Sequence, residues 1–253
     1  KIVECVEKGF ELSEASRTPV MLEVRIRTCH LHGSFKTKAN RRPDFDMRQA
    51  AVAPRRDVNK IVLPPASYLH EKDKIEKRWP AAVKFIQDHK LNEFFTGDVD
   101  DIGVIVQGGM YNTAMRALEL LGLADAFGVA RVPLYVLNVT YPLIDEEVVK
   151  FAAGKKAVLI VEEGQPEYIE QAIGTILRRA DLNTKIHGKD MLPVFGEYTG
   201  AVMRDGFTKF VRAYHPKLVE TAALPASGDN RLRSALALLD GQVRSHAFLD
   251  LAL

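Results

Sequence analysis

The chain has 253 residues, 47% hydrophobic and 27% charged, ordinary proportions for a globular protein able to bury a sizeable core. A formal net charge of +2 sets up no strong field toward nucleic acid or an anionic membrane, and no apolar run approaches the roughly 20 residues that a bilayer demands. Two cysteines, Cys5 and Cys29, provide neither a disulfide framework nor the ligands of a four-cysteine iron–sulfur cluster, and a reducing cytoplasm fits them best.

The first residues, Lys1-Ile2-Val3-Glu4, carry no initiator Met and no apolar signal core, and read as the middle of something longer. Ile2, Cys5, Val6, Gly9, Phe10 and Leu12 recur at helical spacing over residues 1–16, and Arg17-Thr18-Pro19 breaks that helix. Residues 20–28 pass from an apolar run to strict alternation, which predicts a strand leaving the core for a wet rim. Cys29-His30-Leu31-His32-Gly33 is then the loop at its carboxyl end. One helix and one strand make the remnant of a domain. Residues 33–97 carry 14 Lys/Arg against 8 Asp/Glu, with Pro43, Pro54, Pro64, Pro65 and Pro80. This predicts a long basic connection over 36–70 and a charged surface helix over 71–95, broken or kinked at Pro80. The basic run is either a solvated linker lying over another domain or a phosphate- or nucleic-acid-binding strip.

Residues 101–190 carry the clearest pattern. Strands are predicted at Ile102–Gln107, Leu134–Val139, Ala157–Val161 and Thr184–His187. Helices are predicted between them. One runs from Met110 to Leu121, with Met110, Ala114, Ala117, Leu118 and Leu121 on one face and Gly122 near its stop. A second begins at Asp145-Glu146-Glu147, acidic as a helix start should be, and a third covers 166–180, with Pro166 first. Continuous apolar strands alternating with helices predict a parallel sheet covered on both faces. Beyond it, Met203–Tyr214 is predicted helical, and 231–251 is amphipathic through Leu232, Leu236, Leu239, Val243 and Leu249.

Three features carry chemistry. Gly108-Gly109 stands between a strand and a helix, where backbone N–H groups can hold a phosphate or simply make a tight turn. It is neither a Walker loop nor a full G-x-G-x-x-G. Glu162-Glu163 ends a strand at the edge where open α/β sheets take ligands. The pair can orient a ligand, do acid–base work, cap the next helix or join an interdomain ion pair. His30 and His32 lie two apart, with no third metal ligand evident, and read as rim histidines before metal ligands. Arg27 and His30 can instead meet an anionic group. No Ser–His–Asp order, H-E-x-x-H, paired C-x-x-C or G-x-S-x-G occurs.

Several phrases resemble one family. Gly9-Phe10-Glu11-Leu12-Ser13-Glu14, then Thr18-Pro19-Val20-Met21-Leu22, then Arg27 followed by His30, resemble the end of the pyrimidine-binding domain of 2-oxoacid:ferredoxin oxidoreductases. Gly103-Val-Ile-Val-Gln-Gly-Gly109, Tyr141-Pro142-Leu143 and Val161-Glu-Glu-Gly-Gln-Pro-Glu-Tyr-Ile-Glu170, with Leu91-Asn92 ahead of them, resemble that family's transketolase-C-terminal-like domain. Within the family the resemblance points to the indolepyruvate branch, alpha-type subunit. It divides the chain into 1–35, the end of the pyrimidine-binding domain; 36–100, linker and surface helix; 101–215, the transketolase-C-terminal-like domain; and 216–253, a C-terminal helical extension.

The resemblance implies thiamine-diphosphate chemistry in the complete enzyme: decarboxylation of a 2-oxoacid, single-electron transfer through iron–sulfur centres to ferredoxin, and acyl transfer to coenzyme A. It implies magnesium beside the cofactor and a [4Fe-4S] cluster on another segment or subunit, with neither expected in this chain alone. The signature of such sites, Gly-Asp-Gly with a trailing Asn, is absent; Gly228-Asp229-Asn230 is the nearest string. No catalytic residue is therefore carried over. Arg27 and His30 are placed toward the active-site entrance, and Gly108 and Gly109 are the remaining candidate cofactor contacts. The expected partners are the other domains or subunits of the same enzyme, ferredoxin and a second copy in a homodimer, without nucleic acid or membrane. Two other readings stand beside this one: a coenzyme A or nucleotide module using Gly108-Gly109 and the basic 36–60 stretch, and a non-catalytic dimerisation domain.

Overall fold

A computed structural model describes residues 1–30, 32–40, 46–52, 54, 60–220 and 250–252. At its centre is a five-stranded sheet of order β2-β4-β3-β6-β7, formed by β2 (Glu93–Phe95), β3 (Ile102–Gln107), β4 (Leu134–Leu137), β6 (Ala157–Val161) and β7 (Lys185–His187). Strands β4, β3, β6 and β7 run parallel, and only β2 is antiparallel to its neighbour. Every residue of β4 and β6 is buried, and the apolar strand runs follow from cover on both faces. Side chains alternate between two cores. Ile102, Val104, Val106, Leu134, Val136, Leu159 and Val161 face α6 (Tyr111–Leu120) and α9 (Gly200–Tyr214), packing on Ala114, Leu118, Met203, Phe207 and Phe210. Ile105, Tyr135, Val158 and Ile160 face α7 (Asp145–Ala152) and α8 (Tyr168–Arg179), packing on Val148, Phe151, Ile169 and Ile173.

The chain leaves β3 through α6 to β4 on one side. It then returns across β3 through α7 to β6, and continues through α8 to β7 on the other side. Direction and helix face reverse together, so the crossovers keep one hand. The reversal makes a switch point between β3 and β6. The three-layer α/β fold is thus the parallel sheet with helices on both faces that the sequence predicts. Its 101–190 elements begin and end within a few residues of the predicted bounds.

The N-terminal segment attaches to this sheet through a smaller core. Helix α1 (Ile2–Ser16) stops at Arg17 in the left-handed region, φ 53°. It packs on α5 (Trp79–Asp88), with Leu12, Ala82, Ile86, Val139 and Ile144 buried together and Val20 and Leu22 beside them. A second sheet of order β1-β8-β5 joins β1 (Met21–Glu23), β8 (Asp250–Ala252) and β5 (Val139–Tyr141).

The structure departs from the predicted elements at five places. The strand expected over 20–28 is only β1. After Arg25 the chain turns into a four-residue helix, α2 (Ile26–Cys29), whose Thr28 and Cys29 amides donate to the Arg25 carbonyl. Met21 is 67% exposed, so the run does not start in a core. The strand expected at 134–139 breaks at Asn138, whose side-chain amide donates to the Leu91 carbonyl and to Glu93 and sends β5 into the other sheet. The helix expected over 71–95 is α4 (Ala66–Asp73), a π-helical turn (Lys74–Arg78) and α5, while 93–95 is strand β2. The wider turn sits just before Pro80, which has no N–H for an α-helical bond. Within 36–70, Met47–Val52 forms a short helix, α3. Residues 231–249 lie outside the described ones, as does Gly228-Asp229-Asn230; of the expected C-terminal helical extension, α10 (Pro216–Glu220) is helical and 250–252 is strand.

Candidate functional site

The carboxyl ends of β3 and β6 flank the switch point, where open α/β sheets hold ligands. Here that crevice contains the chain's own Arg25. Its Nη2 donates to Glu163 Oε1 at 2.8 Å, and its Nη1 lies 3.4 Å from the Gly109 carbonyl oxygen. Glu197 Oε1 is 3.8 Å from the same guanidinium. Glu163 is held from two further directions. Its backbone N–H donates to Gln107 Oε1 at 3.1 Å, and its carboxylate accepts the Tyr198 N–H at 2.6 Å. The Arg25 and Glu163 side chains are 18% and 25% exposed, so water screens this pair less than an open surface pair.

Glu162 does something different. It is 6% exposed, and its carboxylate accepts the amides of Ile169 at 3.0 and 3.1 Å and Glu170 at 3.1 Å. It therefore caps the first turn of α8, satisfying N–H groups that have no partner within the helix. Burial pushes its pKa above the ordinary carboxylate value, against the pull of those two amides and of Lys189. Lys189 Nζ reaches the Glu162 carbonyl and, at 2.8 Å, the Tyr198 hydroxyl, which donates to the Pro193 carbonyl at 2.6 Å. Burial lowers the Lys189 pKa and lifts that of Tyr198 to about 12. The result ties the 188–199 loop over the end of β6.

Of the two glutamates, then, one caps a helix and the other joins an ion pair between segments. Gly108-Gly109 begins a 3-10 turn, Gly108–Met110, that carries β3 into α6, and the Gly109 carbonyl faces Arg25. Arg27 lies in α2, and its side chain is outside the described residues. His30, His32 and Cys29 are exposed, and Cys5 is buried. His32 lines a cavity of about 550 Å³ along α1, with Phe35, Lys36 and Lys38 from the basic stretch and Glu7 from the helix. Sequence reasoning missed Arg25, Gln107, Lys189 and Tyr198. A rim arginine was visible in the Arg25-x-Arg27 alternation, but only the turn into α2 separates the two.

The cofactor implied by the resemblance needs a diphosphate cradle and a magnesium site. Among the described residues no group of three or more His, Cys, Asp or Glu is placed to hold a metal ion. The switch-point crevice is filled by Arg25, Glu163 and the Tyr198 backbone. At this edge an anionic diphosphate would meet the Glu163 and Glu197 carboxylates, with the Arg25 guanidinium already paired, so the switch-point crevice does not fit the diphosphate end of thiamine diphosphate. No helix among them is long and apolar enough to cross a membrane.

Fold and site together define a three-layer α/β unit with a parallel sheet, whose ligand edge is closed by a preceding segment of the same chain. No family model matches the chain. It is similar, however, to curated indolepyruvate oxidoreductase subunits IorA. With that of Methanothermobacter thermautotrophicus it is 31% identical over 212 residues, covering 81% of this chain and 31% of the relative. With that of Methanothermobacter marburgensis it is 27% identical over 229 residues, covering 89% and 35%. The chain thus spans about a third of the length of these relatives. Among solved structures, 2-oxoglutarate:ferredoxin oxidoreductase from Magnetococcus marinus overlaps 57% of this chain and 23% of its own, with TM-score 0.39 and 17% identity. A split-gene transketolase overlaps 47% and 40%, with TM-score 0.34 and 21% identity. The resemblance read from short phrases is borne out at the scale of the chain by its similarity to the indolepyruvate oxidoreductase subunits.

Proposed function

We propose that this chain is the organising portion of an indolepyruvate:ferredoxin oxidoreductase, with 101–215 as its transketolase-C-terminal-like domain and 1–35 as the end of its pyrimidine-binding domain. The observation that carries this reading is the 31% identity to a curated indolepyruvate oxidoreductase subunit over 212 residues. In the complete enzyme, thiamine diphosphate supplies the carbanion chemistry of oxidative decarboxylation, with magnesium, a [4Fe-4S] cluster and the ferredoxin contact provided by other segments or subunits. This chain's residues hold the N-terminal segment against the sheet and fix the geometry in which two copies and their partners assemble. The filled switch-point crevice supports a scaffolding role over a ligand-holding one.

The enzyme containing this chain, purified with its partner subunit, is expected to reduce methyl viologen in the presence of indolepyruvate and coenzyme A. Turnover of another 2-oxoacid but not of indolepyruvate would overturn the substrate assignment. The 253-residue chain alone is expected to keep its melting temperature when thiamine diphosphate and magnesium are added. A ligand present at 100 times its Kd would add about 2.7 kcal/mol, several degrees in Tm, and a rise of that size would refute the organising role.

A further inference from the structure

We propose that Glu163 is a positioning residue that acts through Arg25 to set the placement of α2 at the switch point. The proposal rests on the reading above only for what α2 faces; the mechanical claim stands on geometry. Arg25 is the last residue before α2, and its carbonyl accepts the amides of Thr28 at 2.8 Å and Cys29 at 3.2 Å. A helix of four residues cannot hold itself in one orientation, because so short a segment lies far below the length at which helices persist unaided. Its anchor is the Arg25 side chain, whose guanidinium is held by Glu163 at 2.8 Å, with the Gly109 carbonyl and Glu197 beside it.

Glu163 is itself fixed, by Gln107 through its backbone and by the Tyr198 amide through its carboxylate. It is therefore a preset receptor and not a flexible surface acid. The chain Gln107–Glu163–Arg25–α2 transmits the position of the β3–β6 edge to the turn containing Arg27 and to His30 just after it. Ile26, first in α2, is 79% exposed, so apolar burial of that residue contributes little to holding the turn. The same crevice that takes a ligand in other open α/β sheets is used here to clamp a neighbouring segment.

The test uses the enzyme containing this chain, with Glu163→Gln, Arg25→Met, Arg25→Lys and the double variant R25M/E163Q. Gln at 163 keeps an acceptor for the Tyr198 amide and removes the nearer carboxylate charge on Arg25, at 2.8 Å, leaving Glu197 at 3.8 Å. Hydrogen exchange is the first readout. Glu163→Gln and Arg25→Met are expected to speed exchange at Thr28 and Cys29 at least tenfold, while Val104 and Leu159 in the sheet stay unchanged. Arg25→Lys is expected to recover part of the protection, and the double variant to exchange no faster than either single one. Unchanged rates at Thr28 and Cys29, or equal acceleration throughout the sheet, would overturn the proposal.

The second readout is kinetic. In an enzyme that turns over a 2-oxoacid, the Glu163 and Arg25 variants are expected to raise KM for the oxoacid or for coenzyme A at least fivefold, with cluster content and Tm retained. Altered exchange with unchanged KM would leave α2 positioned by Glu163 but overturn its link to substrate. An enzyme inactive on every 2-oxoacid fails the functional reading and leaves the exchange result to decide the clamp.

Discussion

Glu162 and Glu163 are adjacent, yet the backbone reversal after β6 sends one carboxylate into the first turn of α8 and the other across the sheet edge to Arg25. The first has a signed consequence for pH. Burial holds the Glu162 pKa above its ordinary 4.5, so the folded protein binds that proton more tightly than the unfolded chain. The stability this contributes is complete below the ordinary value and is lost as pH rises through the raised one. Glu162→Gln removes the decline. Its Tm is expected to gain on the parent as pH climbs from about 4 to about 7, in a melting series across that range. Glu162→Ala instead strands the Ile169 and Glu170 amides and is expected to cost about 1–3 kcal/mol at neutral pH in urea unfolding. At Gly97 the constraint is steric. A Cβ there would lie 2.5 Å from the Arg131 carbonyl oxygen and 2.7 Å from Pro133 N, both backbone atoms. Gly97→Ala is expected to destabilise by about 1–3 kcal/mol, because a rotamer change cannot relieve the overlap. The capping role of Glu162 was one of four open readings from sequence. Choosing among them needs the path of residues 164–168, which adjacency does not encode.

At the scale of elements, legibility follows burial on both faces. Strands β3, β4 and β6 stood out because each is covered by helices above and below, which forces unbroken apolar runs. Strand β2 did not, since Glu93-Phe94-Phe95 is short, lies at the sheet edge and follows a helical pattern without a break signal. What fixes it is distant in sequence. The Asn92 side chain donates to Glu147 at 2.8 Å and accepts the Val139 amide at 3.0 Å. The buried Tyr135 hydroxyl donates to the same Glu147 oxygen at 2.8 Å, and Phe94 stacks on the Tyr135 ring with centroids 4.5 Å apart. This network staples β2, β4 and α7 together. Burial and the neighbouring Glu147 carboxylate drive the Tyr135 pKa well above that of a free phenol, which favours the protonated hydroxyl that donates to Glu147. Tyr135→Phe keeps the stacked ring and removes one donor from Glu147. It is expected to cost about 1–3 kcal/mol in denaturant unfolding, with the midpoint shifted and the slope unchanged. The sequence places Tyr135 in a predicted strand, but its hydrogen-bonding partner lies in α7, and nothing in the residue pattern pairs the two.

Across the whole molecule, the contacts that join the N-terminal segment to the rest include the polar clamp at Arg25, the Lys1–Glu93 ion pair to β2, the β1-β8-β5 sheet and the small core around Leu12. That core is separate from the two that line the sheet and draws on α1, α5 and the start of β5. Separate cores open separately when each has its own buried apolar set, and the smaller one opens at the lower free energy. Leu12 is fully buried against Ala82 and Ile86, so Leu12→Ala leaves a cavity expected to cost about 2–5 kcal/mol. That loss falls on the opening of α1 and α5. Hydrogen exchange by mass spectrometry is expected to show α1 and α5 losing protection at least tenfold while β3, β4 and β6 keep theirs. Equal loss in the sheet would mean that the segment and the sheet form one cooperative unit. The scaffold would then transmit strain through apolar packing, with the Arg25–Glu163 pair as a minor contributor. Protection lost only in α1 and α5 would leave the sheet as the fixed frame against which the preceding domain is placed.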